Sequence, residues 1–289
     1  MQRVGRVAIG DDRGVIACAG LLVDLDGTLV DHVGASTRAV VAWARRLPGW
    51  DGDADAAVRR WRELEAVHFT RFERGECSYV EQRRRRLRGF DETFAHLSDA
   101  EADALFAGYR VEYEAAWEAY PDALTFLRRA LASGAAVGVL TNGDEFHQRL
   151  KLTRVGLDLP GLRLFASGGL GIAKPDPRAY RHACAGLGTP PPQTVMIGDD
   201  LTKDVLGAEA AGLLALHLVR DATGDLAGHE SAGHNSDPSD PVCSRKAALL
   251  PEFREQGQLS GANVTGGARG TAAALVGSLD EAAELLFGG

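Results

Sequence analysis

The sequence predicts an open, parallel α/β sheet with a helical segment inserted after its first strand. Three observations support this. Short apolar runs end repeatedly in polar or glycine-rich turns, at 20–24, 137–141, 164–167, 194–198 and 214–219. Segments with helical spacing separate most of them, at 145–155, 177–187 and 204–211. Between 31 and 118 the strand pattern disappears and amphipathic stretches replace it. Continuous apolar runs are the mark of strands buried on both faces, and their alternation with helices implies a parallel sheet.

The elements follow in order. The run Leu21-Leu22-Val23 is the first strand. In the inserted segment, Trp61, Leu64, Val67 and Phe72 recur at near-helical spacing, and Leu105, Tyr109, Tyr113 and Trp117 fall four apart; both stripes read as helix core. Ser78 with Glu81, Ser98 with Glu101 and Ser278 with Glu281 have the spacing of capping boxes, in which a hydroxyl and a carboxylate each satisfy a backbone N–H at a helix start. Asp176 followed by Pro177 supplies a capping oxygen and then a residue preset for the first turn. The stretch 221–272 is rich in Gly, Ser, Asp, Pro and His, with an apolar break only near Leu249 and Leu250, and reads as a long, mobile surface insertion. A strand and helix ending at Phe287 close the sheet. The resulting division is a core of 1–30 and 119–289 with a helical domain of 31–118.

Composition narrows the classes of partner. The chain has 289 residues, 45% hydrophobic and 25% charged, with a net charge of −8. That charge opposes nucleic acids and anionic membranes, and no apolar run is long enough to span a bilayer. Arg3 and Arg6 are followed by Asp11, Asp12 and Arg13, which interrupt any secretion-signal core. Cys18, Cys77, Cys184 and Cys243 are widely spaced, which points to idle thiols in a reducing cytoplasm. His229, His234 and Cys243 match no common zinc spacing.

Chemistry concentrates at the predicted strand ends. Asp24-Leu25-Asp26-Gly27-Thr28 follows the first strand, and Gly27 permits a tight turn there. Of its two carboxylates, one can attack while the other moves protons. Thr141-Asn142-Gly143 offers a hydroxyl and backbone N–H groups to phosphate oxygens. Lys174, in Lys174-Pro175-Asp176, is one of four lysines in an arginine-rich chain and adds a fixed positive charge. Gly198-Asp199-Asp200 ends the fourth strand, and Asp204 follows. In an open α/β sheet all these pieces gather at one edge. Asp24, Asp26, Asp199 and Asp204 together would repel a phosphate dianion, so the set calls for a cation, and hard oxygen ligands favour magnesium.

These four motifs, in this order and spacing, resemble the haloacid dehalogenase superfamily, in the branch with a helical cap inserted after the first motif. The resemblance covers roughly 21–218 and the final strand and helix. It implies a Rossmann-like core and a magnesium-dependent phosphatase acting on a small phosphorylated metabolite, monomeric or homodimeric. By the same resemblance Asp24 is the nucleophile, Asp26 the acid/base, and Thr141, Asn142 and Lys174 the phosphate binders. Asp24, Asp199 and the backbone carbonyl of Asp26 become the metal ligands, with Asp200 or Asp204 holding metal-bound water or orienting Lys174.

Related chemistries are less well matched. Dehalogenases resembling this chain lack the second aspartate, present here as Asp26, and phosphonoacetaldehyde hydrolases need a cap lysine, which 31–118 does not contain. A phosphomutase of the β-phosphoglucomutase type uses the same aspartates. A protein that binds a phosphometabolite without hydrolysing it is the alternative from another class, though it would need neither reactive carboxylate. For substrate contact the segment offers His32, the loop at Gly75, Glu76 and Cys77, and the run Arg83–Arg86 with Arg88, whose consecutive placement around a helix points most of it to solvent.

Overall fold

Six parallel strands form one sheet: β1 (Gly20–Val23), β2 (Ala136–Thr141), β3 (Arg163–Ala166), β4 (Thr194–Gly198), β5 (Leu214–Leu218) and β6 (Ala273–Val276). Their order is β3-β2-β1-β4-β5-β6, the doubly wound arrangement in which the chain runs outward in opposite directions from the middle. The computed structural model describes residues 16, 18–220 and 273–288; the expected insertion 221–272, with His229, His234 and Cys243, and most of the first seventeen residues lie outside them.

Register sets the two faces. Leu21 stands between Val137 and Val195, and Val23 between Val139 and Ile197. These six pack on one side with Phe126 and Leu127 of α5 (Ala123–Ala132) and Leu279 and Leu286 of α10 (Leu279–Phe287). Leu22 and Met196 point the other way, as the two-residue period requires. They meet Tyr180 and Ala183 of α8 (Pro177–Leu187) and Ala208 of α9 (Gly207–Ala211). The central strands are buried on both faces, which explains their unbroken apolar sequences.

After β1 the chain leaves the sheet and builds four helices: α1 (His32–Ala44), α2 (Ala54–Glu73), α3 (Tyr79–Phe90) and α4 (Asp99–Ala115). Exit and return lie side by side. Val30 bridges Ala119, the Asp31 N–H donates to the Glu118 carbonyl at 3.0 Å, and the Tyr120 N–H donates to the Leu29 carbonyl at 3.0 Å. The bundle has its own core of Trp43, Trp61, Phe106 and Tyr109, with Trp61 fully buried and 4.4 Å from Tyr109 between ring centres. Trp61→Ala is expected to lower stability by about 3–5 kcal/mol, the cost of an emptied aromatic site, measured as a drop in denaturant midpoint.

The stripe assigned to α2 needs a correction. Trp61 and Leu64 are buried, but Val67 is 56% exposed. Steps of three fall short of a full turn, so by Val67 the position has drifted about 120° from Trp61. Phe72, eleven residues on, returns to the same side, where its ring lies 5.3 Å from Tyr79.

Capping is as expected at Asp176, which accepts from the Arg178 N–H ahead of Pro177, and at Ser98, where the reciprocal box with Glu101 is complete. At Ser78 only half forms: its hydroxyl accepts from Glu81 N–H, while the Glu81 carboxylate is taken by Arg85. At Ser278 the hydroxyl accepts from Glu281 N–H, but the Glu281 carboxylate accepts from Gly277 N–H instead. The helix expected over 204–211 begins earlier, with π-helical turns at Leu201–Leu206 leading into α9. Lys174 is separated from β3 by a further helical turn, α7 (Ser167–Leu170). Cys18, Cys77 and Cys184 are free thiols. Among the described residues, no helix is long and apolar enough to cross a membrane.

Candidate active site

The sheet order places the ends of β1 and β4 beside each other where the connections diverge, and a crevice opens there. Asp24 extends β1 by one rung, its N–H donating to the Ile197 carbonyl at 2.8 Å. Two glycines let the carboxylates close in. Gly27 has φ +92°, and a side-chain carbon there would fall 2.4 Å from Asp199 Oδ2. One on Gly198 would fall 2.1 Å from Asp204 Oδ2. The Thr28 hydroxyl donates to Asp199 Oδ1 at 3.1 Å.

Lys174 lies at the centre of this arrangement. Its Nζ donates to Asp24 Oδ1 at 2.5 Å and to Asp204 Oδ1 at 2.6 Å, with all three groups buried. Asn142 clamps its backbone from both sides: Oδ1 accepts from Lys174 N–H at 2.8 Å, and Nδ2 donates to the Lys174 carbonyl at 2.9 Å and to Glu73 Oε1 at 3.0 Å. The Asn142 side chain therefore positions the lysine. Of the two acids offered for orienting Lys174, Asp204 touches it. Asp200 instead caps the turns at Leu201–Leu206, accepting from the Thr202 and Lys203 N–H groups at 2.9 Å each.

Asp26 is held from α6 (Glu145–Arg154), by two residues that sequence reasoning missed. Lys151 Nζ donates to Asp26 Oδ1 at 2.5 Å, and Gln148 Nε2 donates to Oδ2 at 3.1 Å. Gln148 also reaches the Thr141 hydroxyl at 2.9 Å, so one amide joins the second and first motifs. The available signal was their spacing: residues three apart share a helix face, on the helix that directly follows Thr141-Asn142-Gly143, and Lys151 is another of the four lysines.

Electrostatics separate the acids. Burial, assisted by Asp204 and opposed by Lys174, pushes Asp24 up to about 7. Burial followed by the Asp24 charge pushes Asp199 up to about 6. Burial also raises Asp204. For Asp26 burial acts upward too, but Lys151, His32 and the hydrogen bonds from Lys151 and Gln148 outweigh it and leave the carboxyl below its ordinary value. Oxygens of Asp24, Asp199 and Asp204 all lie within 4.8 Å of one another. Three carboxylates crowded together, each driven toward protonation, form a hard-oxygen donor set of the kind that a divalent cation relieves.

The bundle closes the other wall. The cleft has a volume of about 310 Å³ and is lined by Asp24, Asp26, Thr141 and Lys174 on one side and by His32, Glu65, Arg86 and Tyr113 on the other. A continuous polar chain crosses it. Lys151 Nζ is 3.4 Å from the Tyr113 hydroxyl, which is 2.6 Å from His32 Nδ1; His32 Nε2 is 3.7 Å from Glu65, and Glu65 accepts from Arg86 at 2.9 Å. Burial lowers His32, but the Glu65 contact more than reverses this and raises it; burial raises Glu65, but Arg86 and His32 draw it down to about 2. The aromatic stripe expected as core is core at Tyr109, with Leu105 and Tyr113 packed against it; Tyr109, Tyr113 and Trp117, the last beyond the end of α4, also line the cleft.

Comparisons with known proteins agree with this geometry. The chain is 43% identical over 101 residues to a phosphoserine phosphatase of Thermus thermophilus, covering 35% of this chain and 41% of that one. It is 30% identical over 136 residues to a glyceraldehyde 3-phosphate phosphatase of Methanopyrus kandleri, covering 47% and 57%. The chain thus spans about half the length of these curated relatives. Among solved structures, the HAD-hydrolase YfnB of Bacillus subtilis, bound to magnesium, superposes with a TM-score of 0.59 at 22% identity, over 70% of this chain and 87% of that one; that likeness concerns the fold. A family model described as haloacid dehalogenase-like hydrolase matches residues 18–212, and with the crossed strand order and the acid cluster at the switch point, the chain belongs to that family.

Proposed function

We propose that the protein is a magnesium-dependent phosphatase that hydrolyses a small phosphate monoester through an aspartyl-phosphate on Asp24, with 31–118 serving as a helical cap. The observation that carries this reading is the buried Asp24–Lys174–Asp204 contact beside Asp199, faced by a second carboxylate, Asp26, on an independent support. The names of the relatives point the same way.

Asp24 Oδ attacks phosphorus in line with the leaving alcohol, giving an acyl phosphate; water then attacks that phosphorus and releases the carboxylate. Lys174, the Thr141 hydroxyl and the Asn142 N–H bind the phosphoryl oxygens, so that their charge is met by donors already in place. Asp26, raised from its lowered value by the anionic ester beside it, gives a proton to the departing alcohol and takes one back from the incoming water, while Lys151 and Gln148 keep its carboxylate aimed. Asp24, Asp199 and the Asp26 carbonyl would hold magnesium, with Asp204 behind them, and the ion when bound supplies charge neutralisation at the phosphoryl group. The bundle excludes water from the cleft.

The deciding experiment is a magnesium-supplemented screen of phosphate monoesters, with a 2-haloacid as control. Ester hydrolysis is expected without a bisphosphate primer; haloacid turnover alone, or a primer requirement, overturns the reading. Chelation is expected to abolish activity reversibly, with magnesium restoring it and calcium restoring it poorly because its coordination is looser. Magnesium is also expected to raise the melting temperature, and Asp199→Asn to remove that rise.

A further inference from the structure

Helix α3 carries Arg83, Arg84, Arg85, Arg86 and Arg88, a run expected mainly in solvent. The structure divides it. Arg84 and Arg88 pair with Asp99, and Arg85 pairs with Glu81. Arg83 and Arg86 turn inward, and with Tyr79 and Gln82 they form one stripe at the spacing of a single helix face; all four line the cleft opposite Asp24.

Gln82 is 1% exposed and Arg86 4%. Positions so deep on a helix are apolar unless every polar atom has a partner, and here several do not. Arg86 Nη1 donates to Glu65 Oε1 at 2.9 Å, and its guanidinium lies 4.6 Å over the Trp61 ring. Among the described residues, Arg86 Nε and Nη2 and Gln82 Oε1 meet no hydrogen-bond partner. One edge and one face of Arg86 are thus fixed, while the Nε–Nη2 edge, two parallel N–H donors, is closed off from solvent in the cleft wall without a partner. Arg83 lies 3.9 Å over the Tyr79 ring and pairs with no carboxylate among the described residues. Glu65, the acid that Arg86 contacts, is shared with His32, and Arg83 acts on Asp103 and Asp144 only through space.

We infer that this stripe binds a carboxylate on the leaving group of the substrate. A planar carboxylate matches the two-pronged edge of Arg86, Arg83 adds charge beside it, and the Gln82 amide meets a polar group next to the carboxylate. The inference rests on the phosphatase reading and deepens it: the phosphoryl group sits at Asp24 and Lys174, the carboxylate on α3, and the size of the cleft keeps the bridge between them short.

The test compares kcat/KM for phosphoglycerate and glycerol phosphate, which differ in a carboxylate against a hydroxymethyl group, with p-nitrophenyl phosphate as a general substrate. The native protein is expected to favour phosphoglycerate by roughly 10- to 100-fold, the discrimination that a charged hydrogen-bonded site provides. That ratio is expected to fall toward one in Arg86→Lys, which keeps a cation for Glu65 but has no two-pronged edge. It should fall also in Arg83→Met, a half-buried position that keeps the test readable if Arg86→Lys fails to fold. No preference in the native protein, or a preference that survives both substitutions, overturns the carboxylate site while hydrolysis at Asp24 stands. Failure to hydrolyse any of the three esters overturns the phosphatase reading and the site with it.

Discussion

Asp24→Asn is expected to abolish turnover, a loss on the order of 10⁶-fold such as follows deletion of a nucleophile, while leaving the fold no weaker. The second half follows from the direction of the pKa change. Burial raises Asp24 from 3.8 to about 7 in the folded chain, so its contribution to stability is complete below the unfolded value and lost as pH rises through about 7. At pH 8 the metal-free protein therefore holds a buried charge that the asparagine variant lacks, and Lys174 keeps Asp204 as its partner. Calorimetry in chelator should find the variant melting at or above the native protein at pH 8, with the gap closing toward pH 6. Turnover near the native rate would mean that another group attacks.

Lys174→Met is expected to damage both activity and fold. It removes the cation shared by Asp24 and Asp204 and leaves two buried carboxylates facing each other. Breaking a buried pair in this way costs about 3–5 kcal/mol, and losing a preorganised donor to the phosphoryl oxygens costs about 10²–10³ in kcat. Because Lys174 lowers both carboxyl groups, its loss moves them further up, and stability should return as acidification neutralises them. The denaturant midpoint is therefore expected to fall most at pH 8 and to recover toward pH 5. A midpoint equal to that of the native protein at pH 8 would mean that the two acids are not held as ions there.

Much of the sheet was legible because its strands are buried on both faces, so each appears as a continuous apolar run ending in a chemically conspicuous turn. The Asp24 motif and the Asp199 turn could be placed for the same reason: a strand end fixes where its next residue points. Lys151 and Gln148 were not legible, since a helix presents its residues all round and only packing against β3 decides which face meets Asp26. Which members of the arginine run turn from solvent was not legible on the same ground. In a run of arginines the chemistry is identical at every position, and the split between solvent and cleft is set by the rotation of α3 against Trp61 and Phe106. Which of Asp200 and Asp204 would meet Lys174 was not legible either: Asp204 does, while Asp200, which also lines the cleft, has its carboxylate on backbone donors at the helix start.

The adjacent crossings at Val30 and Ala119 bear on how such a molecule can change over generations. An excursion that begins and ends at neighbouring, mutually bonded residues can be lengthened, shortened or exchanged without sending any slip into the strands outside it. Inheritance is thereby free to redraft the helical wall of the cleft while the acids at the strand ends keep their places.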